Sequence, residues 1–109
     1  MNFSITILPT AEYDLRYIYE YFASTLLNED FAKHCHTKLK TAIFSLRNMP
    51  SRYAVYPHEP WKSRQVRKMT SGKFLIFYIV EDKTTSVYIL RVLYGGRNLA
   101  ECLQEDPLS

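Results

Sequence analysis

With 109 residues, 47% of them apolar and 23% charged, the chain has enough apolar surface for one self-sufficient core and too little length for a second domain. Its start, MNFSITILPTAEYD, carries no basic leader or apolar run of signal length, and its longest apolar stretch, FLIFYIV at 74–80, falls well short of the ~18 residues a membrane helix needs. A net charge of +3 and two cysteines, Cys35 and Cys102, at no metal-binding or redox-motif spacing point to a soluble protein of a reducing cytoplasm, without metal or cofactor.

Residues 3–8, FSITIL, alternate Phe3, Ile5 and Ile7 with polar neighbours, the period of a half-buried strand. Pro9 ends that strand, and Thr10 is placed to cap a helix whose first turns hold Glu12 and Asp14, both favourable near the positive end of the helix dipole. Ala11, Leu15, Ile18 and Phe22 form its apolar stripe. Tyr13, Tyr17 and Tyr21 run beside that stripe as a row, the pattern expected at the margin of a core rather than of a base-stacking ladder.

Asn28, followed by Glu29 and Asp30, opens a second helix with Ala32, Cys35, Leu39, Ala42, Ile43 and Leu46 on one face, closed by Met49-Pro50. The short link makes the two helices an antiparallel hairpin. Residues 50–63 hold three prolines and no period, hence an irregular loop. Three strands follow at 64–69, 73–81 and 86–94, joined by turns of hairpin length, the middle one apolar on both faces. The expected fold is α+β in the order β-α-α-β-β-β: an N-terminal strand, then the helical hairpin packed on one face of a three-stranded antiparallel meander. One domain spans 1–109, with an acidic tail at about 104–109 expected to be mobile.

In the last strand, strict alternation sets Val87, Ile89, Arg91 and Leu93 on one face and Tyr88, Leu90, Val92 and Tyr94 on the other. Arg91 then reads as a sheet residue whose stem packs while its head meets an acid. Gly95-Gly96 permits positive φ and a sharp turn off the sheet, which aims Arg97 back across the strand ends. Residues 61–97 carry eight basic and two acidic side chains against a balance of six and six over 1–60, so the sheet region is where an anionic partner would be met. His34 and His36, two apart on a helix, point in different directions, and His58 stands alone in the loop, so none builds a metal or proton-relay site.

The segments AEYDLRYIYEYF, KLKTAIFSLRNMP and RQVRKMTSGKFLIFYIVEDKTTSVYILRVLYGGRN resemble the RelE/ParE superfamily of type II toxin–antitoxin toxins, and most of all its ParE-like, plasmid-stabilisation branch. The resemblance implies a stress-response toxin neutralised by a cognate antitoxin in a hetero-oligomeric complex, the antitoxin an acidic, partly disordered partner that threads an extended or helical segment along a groove between the helical hairpin and the sheet. RelE-type members cleave messenger RNA on the ribosome with sheet cations and, in some, a C-terminal tyrosine. Arg97 matches one of their arginines, but Phe74 stands where they carry another and Leu103 near their tyrosine. The resemblance therefore implies a ParE-like growth inhibitor that binds DNA gyrase rather than an enzyme, with Arg64, Arg67, Tyr94 and Arg97 as the candidate target-binding residues. The alternatives are a metal-independent endoribonuclease acting on ribosome and mRNA through Arg67, Lys68 and Arg97, or a non-toxic relic that only binds antitoxin.

Overall fold

A computed structural model describes residues 2–95. Gly96, Arg97, Cys102, Leu103 and the acidic tail lie outside the described residues, and so do the expectations placed on them. The elements are β1 (Ser4–Ile7), α1 (Pro9–Glu20), α2 (Glu29–Ser45), β2 (Arg67–Ser71), β3 (Phe74–Glu81) and β4 (Ser86–Tyr94), which gives the expected β-α-α-β-β-β order. No helix among the described residues is long and apolar enough to cross a membrane.

The four strands form one sheet in the order β1-β4-β3-β2. β2, β3 and β4 make the antiparallel meander, while β1 adds to β4 in parallel, Ser4 opposite Ser86 through Ile7 opposite Ile89. The sheet is therefore mixed, with the first strand beside the last.

Pro9 begins α1 rather than merely ending β1. It occupies the first helical turn, where its missing N–H costs nothing, and Leu8 is the N-cap; Thr10 makes no cap. α1 ends in a widened π turn, Tyr21–Thr25, and Asn28 caps α2 as expected, its Oδ1 accepting the Phe31 N–H at 3.1 Å. At its far end α2 is closed from outside. Arg52, in a short 3-10 turn at Pro50–Arg52, donates through Nη1 to the carbonyls of Ser45, Asn48 and Met49, so one cation satisfies groups the helix leaves open.

Both faces of the sheet are covered. On one, Ala11, Leu15 and Ile18 of α1 and Cys35, Leu39 and Ile43 of α2 pack against Ile76, Tyr78, Val87, Ile89 and Val92. On the other, the proline-rich loop folds back, and Trp61 and Val66 bury against Phe77, Leu90 and Leu93. The loop is pinned at the β2 edge by a bridge between Val55 and Arg67 and by the Tyr56 N–H donating to the Val66 carbonyl. An apolar central strand is thus explained: it has a core on each side.

Two details correct the strand expectations. The first meander strand starts at Arg67, not residue 64, because residues 62–66 form a turn with Gln65 at φ 58°. Strict alternation along β4 also fails. Phe77 pairs with Arg91 and Tyr78 with Ile89, so Leu90 is an extra residue, a β-bulge. Beyond it the phase reverses: Val92 joins Val87 and Ile89 on the helix side, and Leu93 joins Leu90 on the loop side.

The bulge also places Arg91. β1 ends at Ile7, so past Ile89 the outer edge of β4 has no strand partner, and α1 runs alongside it instead. There Asp14 accepts Nε and Nη2 of Arg91 at 2.7 and 3.0 Å and the Val92 N–H at 3.0 Å. Asp14 is therefore a buried edge partner for β4, not an exposed first-turn acid.

Candidate partner-binding groove

Where α1 ends, the π turn widens the helix by one residue per turn and delivers Phe22 between the hairpin and the sheet. Its ring meets Phe31 of α2 at 4.9 Å and Phe74 of β3 at 6.4 Å, both edge to face, and Phe74 in turn lies 5.6 Å from Tyr94 at the end of β4. These aromatic side chains divide one surface groove into two adjoining concavities of about 350 Å³ each, both lined by Phe22, Phe74 and Tyr94. One continues along α1 over Tyr17, Tyr21 and Leu26; the other continues between α2 and the β2–β3 turn.

The groove is apolar on its floor and cationic at its rim. Among the described residues, His34, Lys38 and Lys73 line it and no carboxylate does. Tyr17 is 52% and Leu26 52% exposed, and Phe31 43%, a concentration of apolar area that a lone soluble domain rarely leaves uncovered. Cys35 forms part of the wall, and burial raises its thiol pKa against the lowering pull of Lys38.

The tyrosine row read as core margin is instead largely outside. Tyr13 is 64% exposed and Tyr21 42%, and Tyr17 and Tyr21 form a groove wall. At the groove mouth, the Gly95 N–H donates to the Lys73 carbonyl at 2.8 Å, and a Cβ on Gly95 would stand 3.1 Å from that oxygen. The requirement for glycine at 95 is this close approach; among the described glycines, positive φ belongs to Gly72.

The candidate target-binding residues are not gathered in one place. Tyr94 sits in the groove, in the row with Phe74 and Ser71, whereas Arg67 lies in the row with Tyr78 and Ile89, four residues up β2 and so ~13 Å away along the strand. The Arg67 Nη1 donates to the carbonyls of Tyr53 at 2.6 Å and Ser51 at 3.2 Å, tying the loop to the sheet. Arg64 is exposed on the turn before β2, and Lys68 lies over the Tyr56 ring at 5.6 Å on the loop side. His58 stacks edge-on against the same Tyr56 at 5.1 Å.

A groove between the helical hairpin and the sheet is what the family resemblance implies; its lining residues were not legible, because they meet where a π turn, a helix start and two strand ends come together and no single segment announces them.

The fold is shared with chains of solved toxin–antitoxin systems. A chromosomal ParDE toxin–antitoxin system from P. aeruginosa superposes with a TM-score of 0.68 over 84% of this chain and 95% of that one, at 22% identity. The toxin–antitoxin complex RelBE2 from Mycobacterium tuberculosis superposes with a TM-score of 0.61 over 86% of this chain and 92% of that one, at 19% identity. No curated protein sequence matches. The sequence does match, over residues 5–99, the family described as the ParE toxin of type II toxin-antitoxin system, parDE. Among the described elements, that match takes in both helices and, from Ile5 on, all four strands, and with it the chain is a member of the ParE toxin family.

Proposed function

We propose that this ParE-type toxin is neutralised by a cognate antitoxin seated in the aromatic groove, and that its target is DNA gyrase in the cytoplasm. The observation that carries the first part is the groove itself: exposed Tyr17, Leu26 and Phe31 over an apolar floor with a rim of His34, Lys38 and Lys73. That chemistry suits an amphipathic segment with apolar anchors and acidic flanks. Both structural relatives belong to toxin–antitoxin systems, one of them in complex with its antitoxin.

Support for a binding poison over a nuclease comes from the sheet. Its loop side is filled by Trp61, Leu90 and Leu93, the Arg67 guanidinium is engaged with two carbonyls, and Lys68 rests on Tyr56. An RNA-cleaving site gathers its cations at one scissile phosphate, whereas Arg67 and Lys68 are directed to different partners, the loop carbonyls and the Tyr56 ring. In this reading Arg64, Tyr94 and Arg97 contact the target, with Arg67 holding the surface that presents Arg64.

The test is expression without the antitoxin, followed in the same cells by plasmid supercoiling and messenger cleavage. Loss of supercoiling with intact messages is expected. Cleaved messages with normal supercoiling would instead mean a ribosome-dependent endoribonuclease, and growth without either defect a relic.

A further inference from the structure

The hairpin's balanced charge conceals a polar division within α2. Its two acids, Glu29 and Asp30, are confined to the first turn, where Glu29 pairs with Lys33 at 3.5 Å. From residue 31 to residue 58 there are five lysines and arginines and no acid at all.

On the outer face of α2, away from the groove, Lys40 and Phe44 stand at i and i+4 on one side of the helix, and Arg47, in the turn just past its end, donates through Nε to the Phe44 carbonyl at 3.1 Å. Phe44 is 40% exposed and belongs to neither core cluster. Its ring is attended by Lys40 at 6.0 Å and Arg47 at 5.9 Å. Exposed Thr37, Thr41 and Asn48 add hydrogen-bond donors around an open concavity of about 610 Å³ that, among the described residues, no carboxylate lines. Glu12 and Glu20 of α1 stand across a neighbouring concavity from Lys40 and bound the patch on that side.

We propose that this face of α2 binds single-stranded nucleic acid, with a base stacked on Phe44 and the flanking phosphates held by Lys40 and Arg47. An aromatic ring exposed between two cations, surrounded by hydroxyl and amide donors, is the combination that holds an unpaired strand: the ring takes any base, and the cations and donors take the backbone. An acidic protein segment would use the cations but would leave the ring without a flat partner. The site is separate from the aromatic groove and does not depend on what that groove binds.

Fluorescence anisotropy of a labelled 15-nucleotide oligothymidylate with the full chain tests this. Lys40→Gln/Arg47→Gln is expected to weaken binding by about tenfold and to lower the salt slope by about 1.4, from roughly 0.7 per cation. Phe44→Leu should weaken it by about fivefold or more, since each base stacked on an aromatic contributes on the order of 1–3 kcal/mol. Lys62→Gln/Lys83→Gln, on turns remote from α2, should bind as the parent does, and Lys40→Arg/Arg47→Lys should retain binding, separating charge from fold. Failure of the parent to bind, unchanged binding by the Gln or Leu variants, tighter binding to a duplex of the same length, or equal binding to polyglutamate or phosphatidylglycerol vesicles would each overturn it.

Discussion

Asp14 and Arg91, 77 residues apart, form a two-pronged buried pair in which the carboxylate also accepts the Val92 N–H. The aspartate gives β4 the edge partner that β1 is too short to supply, and the arginine neutralises it where water cannot. Each is about one-twentieth exposed, at 6% and 5%. A pair so placed contributes less by attraction than it costs when broken, because the survivor is left charged and buried.

Asp14→Asn should therefore destabilise the fold by about 3–5 kcal/mol despite its similar shape. Urea unfolding measures this. A double replacement, Asp14→Leu with Arg91→Met, should recover much of the loss, and a single replacement as harmless as the double would show that the pair is not held in isolation from water.

Trp61 anchors the second core. Removing its side chain in Trp61→Ala should cost about 3–5 kcal/mol, as large aromatic truncations do. Because the loop is covalently tied to β2, the loss should be seen as a lower thermal midpoint of the whole domain rather than as selective detachment of the loop.

Tyr78 links the hairpin's end to the sheet: its hydroxyl donates to the Pro50 carbonyl at 2.6 Å. Burial pushes its pKa up to about 12, against smaller lowering effects of Arg67 and Arg52. The folded state thus keeps its proton over a range in which the unfolded chain has lost it. Stability from this group is complete below about pH 10 and is lost as pH rises through about 12. Tyr78→Phe should show a shallower alkaline decline than the parent when denaturation midpoints are compared from pH 9 to pH 12.

The groove predicts a separation of folding from binding. Tyr17→Ala alters a half-exposed side chain, so the melting midpoint should move little, within about 0.5 kcal/mol. Antitoxin affinity measured by calorimetry should fall by more than about 1 kcal/mol if Tyr17 is an anchor. Undiminished affinity would remove α1 from the antitoxin interface.

Arg97→Ala tests the proposed target contact. Growth arrest should fall sharply while melting and antitoxin binding stay close to the parent's, because a side chain that serves the target contact would add only about 0–1 kcal/mol to stability, the range of surface charge pairs. Arg97→Lys should restore arrest only in part, since a point charge cannot reproduce a forked contact. Unfolding of the Ala variant would make Arg97 structural.

Much of the architecture was written in local pattern. Period-two spacing at Phe3, Ile5 and Ile7 marks β1, and Asn28 before Glu29-Asp30 marks the α2 start, because both signals act within a few residues. Pro9 was ambiguous on the same local evidence: the residue that ends a strand is also favoured in a helix's first turn. Arg91's need for an acid was legible, but which acid it meets depends on β4 outrunning β1. The bulge at Leu90 was invisible because alternation counts one strand at a time, while a bulge is a mismatch between two. Trp61 sits among prolines that erase any period, so its burial could be known only from the sheet face it covers. The residues that line the groove were hidden for a related reason: Phe22 is placed by a π turn, and no composition signal distinguishes that turn from the end of an ordinary helix.

The pairing of β1 with β4 sets a timetable for the chain as it is made. Ser4 finds its partner only when Ser86 exists, and Asp14 only when Arg91 does. Until then the ribosome extends a chain whose hairpin can form but whose stripe, Leu15, Ile18, Leu39 and Ile43, has nothing to lie against. Contacts of such long sequence separation close late and slowly. For a growth inhibitor this delays harm, since a partly synthesised chain cannot present a finished surface. It also leaves an interval in which a sticky, unfinished chain is open to chaperones and proteases.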